Sequence, residues 1–128
     1  MKLRLIALLT ALMIVGVGTA QSLARPPEQA VIVHFEYGNS DWQPFFRFEE
    51  KLEKAVNNSG LGNYDGNELA VDGSDGSLYM YGPDADRLFA SVRPFLEHNA
   101  LLNKVEITLR YGAADDPNAR EREVKLGT

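Results

Sequence analysis

The 128-residue sequence contains no cysteine, one tryptophan and two histidines. The first absence removes disulfides, thiol catalysis, thiolate metal sites and the acylated cysteine of a lipoprotein. A basic surplus is missing as well, because 13 Lys and Arg stand against 18 Asp and Glu for a formal charge of −5. Such a surface repels phosphate backbones and anionic headgroups, which disfavours nucleic-acid binding and generic membrane adsorption.

What is present begins with a leader. Lys2 and Arg4 precede an apolar stretch from Leu5 to Val17, interrupted by Thr10 and Gly16, and small residues follow. That is the three-part layout of a secretory signal peptide, cut after Ala24 or after Ala20. The apolar run is shorter than the roughly 18 to 20 residues that cross a bilayer, so cleavage is expected rather than anchoring. Processing removes two basic residues and no acidic ones, which takes the formal charge from −5 to −7. Cleavage after Ala24 leaves residues 25–29 as a stiff lead-in, opened by Arg25-Pro26-Pro27, and residues 30–128 as one domain. A domain of this size buries about 65% of its unfolded surface, enough for a core without covalent staples. The expected product is exported, periplasmic or secreted, and free of the membrane after cleavage.

Within the domain, Ala30 to Tyr37 is rich in β-branched and aromatic residues and reads as a strand. A helix capped by Ser40 or Asp41 then runs to about Asn57, with Pro44 tolerated in its first turn. Its apolar face is Phe45, Phe48 or Glu49, Leu52 and Val56, widened by Trp42 and Phe46. After a Gly-rich connection over 60–66, strands at Glu68–Asp72 and Ser77–Tyr81 flank a turn at Gly73-Ser74-Asp75-Gly76, with Leu69 and Val71 inward. Asp84 caps a second helix with the stripe Leu88, Phe89, Val92, Phe95 and Leu96, which Pro94 is expected to kink or split. Lys104 to Tyr111 alternates cleanly between apolar and polar residues, and Arg120 to Leu126 is an optional edge strand whose charge discourages aggregation. The order predicts an α+β protein with a ferredoxin-like βαββαβ plait: an antiparallel sheet, two helices on one face, and the other face open.

The middle of the chain, Gly62-Asn63-Tyr64-Asp65-Gly66-Asn67-Glu68 followed by Tyr79-Met80-Tyr81-Gly82-Pro83-Asp84-Ala85-Asp86, resembles a pattern in small exported bacterial proteins of this topology whose role is not established. The resemblance implies the fold and no activity, and it transfers no catalytic residue.

Strand alternation assigns Ile32, His34, Glu36, Glu68, Asp72, Tyr79, Tyr81, Glu106, Thr108 and Arg110 to the open face. Tyr79, Tyr81, Arg110 and His34 are the candidate binding residues, with the tyrosines as rigid amphipathic contacts. Tyrosines on a central strand also evoke RNA-binding sheets, but the charge and the leader argue against that use. His34 with Glu36 and Glu68 is the one constellation suited to sharing a proton, which frames a small hydrolase or isomerase as the alternative to a binding or inhibitor-type module. His98, at the end of the second helix, has a structural place. Asp72 and Asp75 invite a calcium reading, yet they miss the EF-hand register and suit turn chemistry better, and Gly60-Leu61-Gly62 lacks the lysine of a phosphate loop. No cofactor is implied. The expected partner is a protein, or a second copy closing the open faces together.

Overall fold

The computed structural model describes residues 28–127, so the expected leader and its expected cleavage sites lie outside the described residues. Strand β1, Gln29–Glu36, leads to helix α1, Gln43–Ser59, and then to the hairpin strands β2, Asn63–Leu69, and β3, Asp75–Gly82. Helix α2, Ala85–Glu97, strand β4, Asn103–Arg110, and strand β5, Glu121–Lys125, complete the chain. The strands form one antiparallel sheet in the order β2-β3-β1-β4-β5. With two helices and β1 flanked by β3 and β4, this is the ferredoxin-like plait, extended by β5 on the β4 side. No described helix is long and apolar enough to cross a membrane.

The core follows from the two periodicities. Val31, Val33 and Phe35 of β1, Leu78 and Met80 of β3, and Ile107 and Leu109 of β4 are fully buried and point to the helical layer. Phe45, Leu52 and Val56 of α1 and Leu88, Phe89, Val92 and Leu96 of α2 meet them. At the α1 end Phe35 stacks on Phe45 at 5.5 Å and Tyr37 on Trp42 at 4.2 Å, so aromatic geometry closes that corner.

Several local expectations are corrected. β2 begins at Asn63, inside the stretch expected as a connection, because pairing with β3 outweighs the poor strand propensity of Asn63, Gly66 and Asn67. A bulge between Tyr64 and Gly66 absorbs the irregularity, with Gly66 at φ +105°. The hairpin turn lies earlier than predicted, at Ala70–Ser74, and places Val71 fully in solvent instead of in the core. Its position is set by Gly73, whose carbonyl accepts from Gly38 and Asn39 and whose φ is +77°. Asp72 therefore leaves the sheet, and Asp75 joins β3.

Helix α1 starts after Trp42, not Ser40 or Asp41, although the Asp41 carboxylate does accept from the Gln43 amide at 3.0 Å. Both alternatives at the Phe48/Glu49 position face inward: Phe48 packs on the core, and Glu49 accepts from the Tyr64 hydroxyl and the Asn67 amide. Helix α2 is capped by Asp84, whose carboxylate accepts from the Arg87 amide at 3.1 Å. It continues unbroken through Pro94. The amide that proline lacks would have bonded to the carbonyl of Ala90, an exposed residue, so solvent can satisfy that acceptor. Phe95, expected in the buried stripe, is 38% exposed.

Candidate functional site

The open face is an array of rows read directly from strand register. One row runs Glu68, Ser77, His34, Glu106, Lys125, and the next runs Gly66, Tyr79, Ile32, Thr108, Glu123. A third runs Asn63, Tyr81, Ala30, Arg110, Glu121. Every residue assigned to this face from alternation is there except Asp72. That side chain caps the hairpin turn, accepting from the Ser74 amide at 3.0 Å, and bonding to Ser74 holds its carboxyl below the usual range.

The three candidate catalytic residues do not converge. His34 places Nδ1 3.2 Å from Ser77 Oγ and Nε2 3.6 Å from Asp75 Oδ2. Glu36 pairs instead with Lys104, whose Nζ lies 3.2 Å away. A bulge in β4, where Lys104 adopts φ +47°, sets that pair. Glu68 stands on the far side of Ser77, beside Tyr79, whose phenol is shifted upward by partial burial first and by the Glu68 charge second.

Ser77, His34 and Asp75 thus form a serine–histidine–aspartate series that the sequence reading missed, since only strand register reveals it. Its surroundings do not suit acyl transfer. His34 and Asp75 side chains are 47% and 46% exposed. The strands β1 and β3 are also paired on both sides in the sheet, which commits their amides largely to the ladder rather than to an oxyanion. Among the described residues, no group of three or more His, Asp and Glu side chains is arranged to hold a metal ion. Asp75 is engaged with His34 and Asp72 with its own turn.

The concave part of the face lies at its other end, in the third row. A cleft of about 520 Å³ opens over Ala30 and Ile32, with Tyr81 on the β3 side and Arg110 with Gly112–Ala114 on the β4 side. Ala30 belongs to the open face yet is only 4% exposed, which reflects its position between Tyr81 and Arg110. Carboxylates of Glu28, Asp65 and Glu121 complete the lining. The Tyr81 phenol is pushed up by burial first, then by Asp65, Tyr79 and Glu28. This end of the sheet is therefore apolar below and negative around.

Arg110 shapes this cleft more than it offers a free charge. Nε and Nη2 donate to the Ala113 carbonyl at 3.2 and 3.1 Å, Nη2 donates to Asp116 O at 2.6 Å, and Nη1 donates to Glu121 Oε2 at 3.2 Å. Of five guanidinium hydrogens, these bonds leave one on Nη1. The side chain that sequence nominated for binding is the pin that folds the β4–β5 loop into a wall.

Of the four nominated binding residues, Tyr81 and Arg110 line the cleft, while Tyr79 and His34 share the face outside it. Glu28, Asp65, Glu121 and the loop wall were missed. Alternation along β5 was the available signal for Glu121, whereas nothing local indicates that residues 112–114 turn over the sheet. Comparison of the chain with protein-family models, curated proteins and solved structures returns no match.

Proposed function

We propose that this chain is an exported, non-catalytic binding module, akin to the small exported bacterial proteins it resembles, that engages a protein partner at the Tyr81 end of its open sheet face. The observation that carries the reading is the cleft itself: an apolar floor, one rigid tyrosine and a negative lining, on the face the helices leave uncovered. Its chemistry favours a cationic side chain from the partner, with the alkyl stem over Ala30 and Ile32 and the charge near Asp65 and Glu28.

The same charge weighs against closing two copies face to face. Glu28, Asp65, Glu68 and Glu123 have no ion-pair partner among the described residues, so a second identical face brings like charges together. The hydrolase or isomerase alternative has no comparable support, because Glu36 is paired with Lys104 and Ser77 stands between His34 and Glu68.

The test is partner recovery from the exported fraction using wild type, Tyr81→Ala and Asp65→Asn. Wild type should recover a partner that salt releases and both variants lose. Equal recovery by all three overturns the assignment to this cleft.

A further inference from the structure

The opposite, helical side of the molecule carries a second concave surface of opposite sign. Two adjoining hollows, of about 570 and 420 Å³, lie between α1 and the C-terminal end of α2, and they share Phe48, Lys51 and Asn99. Their chemistry is graded from cationic to apolar, with Lys51 and Phe48 common to both. The first is lined by Arg47, Lys51 and Lys54 against a single carboxylate, Glu50, which lies 3.3 Å from Lys54. Arg47 and Lys51 have no ion-pair partner among the described residues. The second is lined by Phe48, Pro94 and Phe95, with Lys51, His98 and Asn99 at its side.

This is an unusual place for uncompensated cations on a chain whose formal charge is −5. It is also where Phe95, one of the few exposed large apolar side chains, is found. The base of the trough is well braced. Asn99 donates to the Leu96 carbonyl at 2.7 Å and accepts from the Leu102 amide at 2.7 Å, while His98 Nδ1 lies 3.0 Å from the Pro94 carbonyl. Its walls are α1, the last turn of α2 and the loop 99–101, where the Leu101 and Leu102 amides already bond to Asn99 Oδ1, so no strand edge is offered to an extended peptide.

We propose that this trough is a site for a free single-chain fatty acid, its carboxylate held by Arg47 and Lys51 and its hydrocarbon chain laid across Phe48, Pro94 and Phe95. One molecule with a charged head and an apolar tail matches both hollows and their order. Charge-assisted bonding to two exposed cations, added to burial of the chain against aromatic rings, supplies the two components of such binding. The site is separate from the sheet-face cleft and does not depend on it.

The experiment titrates the purified protein with monomeric sodium laurate, dodecyl maltoside and dodecyltrimethylammonium, each below its micelle concentration, and follows amide and aromatic NMR shifts. Laurate should perturb Phe48, Phe95 and Ala100 and bind at least tenfold more tightly than the neutral or cationic amphiphile. The double variant Arg47→Glu/Lys51→Glu should lose at least tenfold in laurate affinity, Phe95→Ala should weaken it, and Tyr81→Ala should leave it unchanged. All the substituted side chains are partly or largely exposed, and circular dichroism checks that each variant is folded. Equal binding of the three head groups, insensitivity to the charge reversal, or shifts confined to the sheet face would overturn the proposal. So would retention on anionic phospholipid vesicles without laurate binding, which would identify a membrane surface as the occupant instead.

Discussion

The Tyr64 hydroxyl on β2 donates to the Glu49 carboxylate on α1, joining an edge strand to a helix across 15 residues of sequence. Asn67 donates to the same carboxylate, so one acidic side chain ties the bulged strand to the helical layer. The bond requires the phenol to keep its proton. Burial first, and Glu49 second, hold the Tyr64 pKa well above its ordinary value of 10.0.

The sign of the resulting pH dependence is fixed by linkage. A raised folded-state pKa stabilises the protein fully below the unfolded value of 10.0, and this contribution is lost progressively as pH rises beyond it. Thermal melts between pH 8 and about 11 should show wild type losing stability on the alkaline side. Tyr64→Phe should start lower and fall less steeply. Parallel curves for the two proteins would exclude Tyr64 as the source.

Removing the Arg110 guanidinium should release the loop wall rather than unfold the sheet. The side chain is 20% exposed and serves three loop carbonyls and Glu121. Charge-assisted bonds of this kind contribute about 2 kcal/mol in favourable cases. Arg110→Ala should lower stability by about that much and accelerate amide exchange at Tyr111, Asp116 and Ala119, while β1 and β3 stay protected. Unchanged exchange in the loop would contradict the pinning role.

Gly73 should not tolerate a side chain. Its φ is +77°, and a Cβ built there would lie 2.2 Å from the Asn39 carbonyl oxygen, a backbone atom that cannot rotate aside. Gly73→Ala should cost more than about 1 kcal/mol, with denaturant midpoints as the measure. Gly38, which also has a positive φ but has open space around its Cβ position, is the control: Gly38→Ala should cost less.

Asp86 supplies an acid limb. Its carboxylate accepts from Tyr111 Oη at 2.6 Å and from Arg122 Nη2 at 3.3 Å, and these contacts, Tyr111 foremost, hold its pKa below 3.8. A depressed folded-state value contributes stability above 3.8 that disappears as pH falls through the folded value. Asp86→Asn should therefore melt below wild type at neutral pH, and the two curves should approach each other in strong acid. A constant offset across that range would show that the charge is not responsible.

Much of the architecture was legible because periodicity is local. Val31, Val33 and Phe35 alternate with Ile32 and His34, and that alone assigns each to a face once a strand is assumed. Phe45, Leu52 and Val56 recur at helical spacing for the same reason. The errors fell where a distant partner outweighed local preference. Asn63, Gly66 and Asn67 form a strand because β3 offers a ladder, and Val71 is left in solvent because Gly73 docks on the Gly38–Asn39 backbone. Pro94 leaves its helix unbroken, since losing one donor on an exposed side of a helix is cheaper than losing one in a core.

Alternation within each strand was enough to assign most of the open face, from Ile32 and His34 to Tyr79, Tyr81 and Arg110, and it failed at Asp72, where the strand ends early. Which of them meet was decided only by the tertiary structure. His34 finds Ser77 and Asp75 instead of Glu36 and Glu68, and Arg110 spends its donors on a loop that then walls a cleft beside Tyr81. The physical reason is that register and loop closure are relations between segments far apart in the chain, and no residue's own propensity carries them.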